Sequence, residues 1–108
     1  MTILEILQAE QYNSNSVHLY KEGAFWKAYE KSAYLIARKM GYKVFWKSSR
    51  ACPEGVVYVG FPETALKGIQ DVTGRLVYSS AKERVYACSE SVPESIYADW
   101  KNNIRANV

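Results

Sequence analysis

An α/β (α+β) single domain, with a mixed β-sheet flanked by helices, is the fold class that the sequence predicts. Three observations carry the prediction. Segments with apolar residues at helical spacing interleave with short aromatic and β-branched runs of strand character. One such run, Val56-Val57-Tyr58-Val59, is almost continuously apolar, which suits a strand buried on both faces. The chain has 108 residues, 48% of them hydrophobic and 23% charged, which is the size and composition of one globular domain, residues 1–108.

The first element is a short helix over residues 2–11. Thr2 stands as its N-cap and Glu5 completes a capping box, with Ile3, Leu7 and Leu4 turned inward. Asn13-Ser14-Asn15-Ser16 is a polar turn, and a strand Ser16–Lys21 follows it and breaks at Gly23. A long helix is expected from Phe25 to Met40. Phe25, Tyr29, Ala33, Ile36, Ala37 and Met40 fall on one side of it at helical spacing. Gly41 ends the helix as a C′ residue.

Tyr42–Lys47 is the second strand, rich in aromatic and branched residues. Ser48 to Gly55 is a loop, and Gly60-Phe61-Pro62 closes the apolar strand that follows it. A helix then runs from Glu63 or Thr64 to Gln70 or Asp71, with Pro62 just before it. Leu76–Ser79 and Arg84–Cys88 read as strands turned by Ala81-Lys82-Glu83, and the first has the alternative of extending the preceding helix. Pro93 opens a C-terminal helix over 93–106, on which Ile96, Tyr97, Trp100 and Ile104 form one apolar stripe.

Composition narrows the function classes. No apolar run is long enough to span a bilayer, and the N-terminal stretch carries glutamates where a secretory signal needs a basic region. A cytoplasmic, reducing location is expected. Cys52 and Cys88 are then free thiols, and with His18 as the single histidine there is no zinc ligand set. No nucleophile motif and no paired carboxylates occur, so the expectation is a protein that is not an enzyme and needs no cofactor or metal. The net charge of +3 permits contact with nucleic acid without demanding it.

Two groups of side chains are candidates for such contact. Phe25 and Trp26 sit at the turn from strand to helix. There they would be an exposed stacking pair beside helix N–H groups that attract anions, or Phe25 would simply start the core face of the helix. Lys27, Lys31 and Arg38, with Lys21, would line the same helix as a phosphate-tracking stripe or as an ordinary solvated face. Lys47 and Arg50 border the serine-containing loop and are candidate phosphate contacts.

The order of three short segments resembles a known family. They are Gly23-Ala24-Phe25-Trp26-Lys27, then Gly60-Phe61-Pro62, then Val85-Tyr86-Ala87-Cys88-Ser89-Glu90. Together they resemble the N-terminal mismatch-recognition domain, domain I, of the MutS DNA mismatch-repair proteins, over about residues 3 to 90. The resemblance implies a MutS domain I-like α/β domain that approaches DNA from the minor groove and inserts a phenylalanine beside a mispair. Phe25 is the matching residue. The family's neighbouring glutamate, which accepts a hydrogen bond from the mispaired base, is replaced here by Lys27, which only donates or pairs with phosphate. No G-x-x-x-x-G-K-[ST] segment occurs, so the family's ATPase has no counterpart in this sequence.

Two readings follow. The first is a small, non-catalytic accessory domain that binds nucleic acid, DNA rather than RNA, through Phe25, Trp26, Lys27, Lys31, Lys47 and Arg50. The second is a protein-interaction module that keeps the fold without reading DNA. Its partner would be a larger protein or a second copy docked on the Ile96/Trp100 stripe.

Overall fold

The computed structural model describes residues 2–107. Helix α1 (Ile3–Gln11) precedes a hairpin of β1 (Ser16–Glu22) and β2 (Phe25–Tyr29), and β2 runs straight into α2 (Glu30–Met40). Strands β3 (Phe45–Lys47) and β4 (Val56–Pro62) come next. A single 3-10 turn (Glu63–Ala65) then leads into α3 (Leu66–Thr73). A second hairpin, β5 (Arg75–Ser79) and β6 (Glu83–Ala87), precedes α4 (Glu94–Ala106). The six strands form one sheet in the order β3-β4-β2-β1-β6-β5.

The α+β class and the single domain are as expected, but the strand directions are not mixed. All five strand pairings are antiparallel, and residues 25–29, expected as the start of the long helix, form strand β2, which pairs with β1 through a tight turn. This is the main correction to the sequence reading. Helix α2 starts at Glu30, so Gly23 joins two strands and no helix N–H groups stand at its turn. Gly23 takes φ +64 at the first position of the two-residue link Gly23-Ala24, the geometry of a II′ hairpin turn, a backbone conformation that residues with side chains rarely adopt. The strand Tyr42–Lys47 is likewise shorter than expected, pairing only over Phe45–Lys47, while β4 extends to Pro62.

Alternation along the strands sorts their side chains onto two faces. On the inner face, Val17, Leu19, Trp26, Ala28, Val59, Phe61 and Tyr86 join Ala33, Leu35 and Ile36 of α2 and Leu66 and Ile69 of α3 in the main core. On the other face a smaller cluster of Ile6, Tyr20, Tyr29 and Val56 packs under α1, with Leu7 and Cys52 against it. Helix α1 therefore covers the far end of the outer face and leaves the β1–β2 hairpin end open. Thr2 and Glu5 do form the capping box.

The C-terminal stripe is spent largely inside the molecule. Tyr97 and Trp100 meet Tyr34 of α2 edge-on, with centroids 6.2 and 5.1 Å from the Tyr34 ring. Ile96 is half exposed, whereas Trp100 packs against the core. Among the described residues, Cys52 and Cys88 are free thiols. No helix is long and apolar enough to cross a membrane.

Candidate nucleic-acid interface

The candidate site grows from the strand character of residues 25–29. A strand sends Phe25, Lys27 and Tyr29 to one face and Trp26 and Ala28 to the other, whereas a helix would have scattered them. The expected Phe25-Trp26 pair is thus split. Trp26 is buried at 1% exposure, with Arg84 and Lys21 cations 5.5 and 5.9 Å from its ring centre. Phe25 is 50% exposed at the hairpin tip and belongs to neither core cluster, which overturns its reading as the start of a core face.

Register then shows what shares the outer face with Phe25. Its neighbours across the ladders are Glu22 on β1 and Pro62 on β4. Lys27 lies opposite Gly60, and Tyr29 lies opposite Tyr58. Phe45 and Lys47 of β3 complete the patch, because Phe45 pairs with Tyr58 and Lys47 with Val56. The Phe45 and Tyr58 rings stack at 5.5 Å and 25°, forming an aromatic strip that leaves Phe45 exposed.

Positive charge lies over these rings. The Lys47 ammonium is 4.9 Å from the Tyr58 centroid and 5.2 Å from that of Tyr29. Lys27 is 5.2 Å from Tyr58, and Lys43 is 5.3 Å from Phe45. Each contact is of cation–π type and holds a lysine at the surface without neutralising it. Arg50 is exposed in the 48–55 loop that follows β3.

One acid stands among these lysines. The Glu22 carboxylate is 3.2 Å from the Lys27 ammonium and accepts the Tyr29 hydroxyl. Partial burial works against its charge, but the Tyr29 and Lys27 hydrogen bonds outweigh that and hold its carboxyl below the usual range. Burial and the neighbouring carboxylate in turn push the Tyr29 hydroxyl upward, so it remains a donor. Glu22 therefore restores a hydrogen-bond acceptor beside Phe25. In the sequence it looks like an isolated acid, and only the register of the β1–β2 hairpin places it there.

Lys31 does not belong to this surface. Its residue is 6% exposed at the start of α2, and its ammonium pairs with Glu94 of α4. The expected stripe of Lys27, Lys31 and Arg38 dissolves for the same reason as the aromatic pair: Lys27 is on a strand and the other two are on a helix. Arg38 is exposed and donates to the Tyr34 hydroxyl at 2.8 Å. Of the six residues singled out from sequence, Phe25, Lys27 and Lys47 share one face, Arg50 lies in the adjoining loop, and Trp26 and Lys31 are interior.

The fold and this patch define a class, the single-sheet α+β domains with α2 and α3 on the inner face, α1 over part of the outer one, and an aromatic and lysine-rich remainder open at one hairpin. A family profile, MutS domain I, matches residues 5–98, and the chain belongs to that family. No curated protein and no solved structure matches it.

Proposed function

We propose that this domain binds DNA through the open end of its outer sheet face, without catalysis of its own. Phe25 is the contact that enters or stacks against the bases. Lys27, Lys47 and Arg50 meet phosphate, and Trp26 supports the hairpin from within, while Lys31 ties α2 to α4 away from the surface. The observation that carries the reading is Phe25 itself: a large apolar ring half exposed at a hairpin tip, on the same face of β2 as Lys27, contributing to no core. An apolar wedge between base steps costs unstacking energy, which is smallest where pairing is already weak. Membership in the MutS domain I family supports the same reading, since that domain is a DNA-binding one.

The Glu22–Lys27 pair gives this surface both an acceptor and a donor beside the wedge, although the family's glutamate position carries lysine. A base displaced next to Phe25 would meet both. Titration of the protein with paired, singly mismatched and single-stranded DNA at two salt concentrations tests the proposal. Binding that weakens with salt and favours the mismatched duplex supports it. Absence of binding to all three at low salt, with the protein folded, overturns it.

A further inference from the structure

The sheet edge beside the patch carries a second feature. Strand β3 pairs with β4 only as far as Phe45 opposite Tyr58, whereas β4 continues through Val59, Gly60, Phe61 and Pro62. Beyond the end of β3 lies a slot of about 440 Å³ lined by Tyr42, Lys43, Phe45, Gly60, Phe61 and Pro62. Its floor is aromatic, since Tyr42 packs on Phe61 with centroids 5.9 Å apart and Phe45 presents 41% of its surface. Lys43 stands at the rim over Phe45.

The backbone at this edge offers hydrogen bonds. The tight hairpin makes Glu22 and Phe25 a bonded pair, so Trp26 and Ala28 bond towards β4, where they meet Phe61 and Val59. The peptide groups of Gly60 then point the other way, into the slot. Among the described residues no backbone hydrogen bond joins Gly60 to residues 42–44. An extended peptide would need a run of such groups. Here β3 takes those of Val56 and Tyr58, and Pro62 has no N–H, so one donor, that of Gly60, remains with the carbonyls of Gly60 and Pro62. A planar heterocycle with edge donors and acceptors suits that arrangement: one face on Phe45, one edge on Gly60, and a phosphate within reach of Lys43.

We infer that this slot takes one unstacked nucleobase of the DNA held at Phe25. The inference rests on the proposed DNA-binding role. The slot adjoins the wedge, because Pro62 on its wall is the register partner of Phe25. A base pushed out beside Phe25 therefore has an aromatic surface to occupy next to where it leaves the stack.

Photocrosslinking tests the slot separately from the interface. The protein is irradiated with a duplex carrying one unpaired 5-iodouracil, and with the same duplex fully paired. The expected crosslink falls on residues 42–45 and only with the unpaired base. Phe45→Leu keeps apolar volume against Tyr58 but removes the stacking face. It is expected to weaken binding of the unpaired-base duplex about tenfold more than binding of the paired duplex. If crosslinks fall on the β1–β2 hairpin alone and Phe45→Leu binds both duplexes like the wild type, the slot is overturned and the interface stands. If the folded protein binds neither duplex, both proposals fail.

Discussion

The two ends of strand β2 use the same kinds of side chain for opposite purposes. At the hairpin end, Phe25 is exposed and a glutamate and a lysine lie near the surface beside it. At the other end, Tyr29 is buried and the charges of the first turn of α2 are locked in pairs. Glu30 takes φ +52, a left-handed conformation that costs a non-glycine residue roughly 1–3 kcal/mol. Its carboxylate ties that corner down by accepting the Val57 N–H at 3.2 Å and pairing with Lys101 of α4. Lys31 pairs with Glu94, so α2 and α4 exchange two ion pairs of opposite sense.

Glu10 completes that locked end. It is a buried residue of α1 and accepts the Ser32 N–H at 2.9 Å, the Ser32 hydroxyl at 2.7 Å and the Asn13 amide at 3.2 Å. Helix α2 has no side-chain cap from Tyr29, and Glu10 serves in its place from another helix. Glu–Lys pairing is thus no guide to role here. Exposure and the presence of further partners separate a structural corner from an open surface.

The comparison breaks first at Trp26, one residue from Phe25 but on the inner face. Trp26→Ala is expected to cost about 3–5 kcal/mol in denaturant unfolding, as for other fully buried large side chains. A cost below 1 kcal/mol would mean that β2 faces the other way.

The next largest effect is at Glu10. Burial pushes its carboxyl from 4.5 up to about 7, against the hydrogen bonds from Ser32 and Asn13. An acid raised on folding adds stability in full below its unfolded value, and that stability is lost as pH rises through the folded one. The wild type should therefore lose up to about 3 kcal/mol between pH 5 and pH 8 relative to Glu10→Gln. Parallel stability curves for the two proteins would remove Glu10 from the account.

Smaller still is Lys27, whose pair with Glu22 is partly exposed. Lys27→Ala should change stability by about 0–1 kcal/mol. It should also lower the slope of log affinity against log salt by about one. An unchanged slope would place Lys27 away from phosphate.

Much of the fold is legible in the sequence because its signals are local. The capping box of α1, the apolar run of β4 and the start of α4 at Pro93 are each carried by a few neighbouring residues. Strand β2 is not legible, for a definite reason. Phe25 and Tyr29 are four apart, a spacing that fits one face of a helix and one face of a strand equally well. With aromatic residues on both faces of β2, alternation gives no contrast to decide between them. The change from strand to helix falls on Glu30, where no glycine or proline marks it.

The candidate site shows the same division. Phe25 is identifiable from the sequence. That Glu22 stands opposite it, and that Phe45 and Lys47 share its face further along the sheet, follows from the register and the strand order β3-β4-β2-β1, which no local pattern encodes. Lys31 is interior because Glu94 and Tyr97 of α4 cover it, a contact between segments distant in the sequence.

The central claim is that Phe25 is a contact residue and not a core residue, and Phe25→Ala measures it directly. Unfolding stability and affinity for a mismatched duplex are determined on the same protein. The expected result is a stability within about 0.5 kcal/mol of the wild type, with affinity reduced about tenfold by loss of one stacking contact. A variant that binds DNA like the wild type but has lost several kcal/mol of stability would contradict the account and return Phe25 to the core.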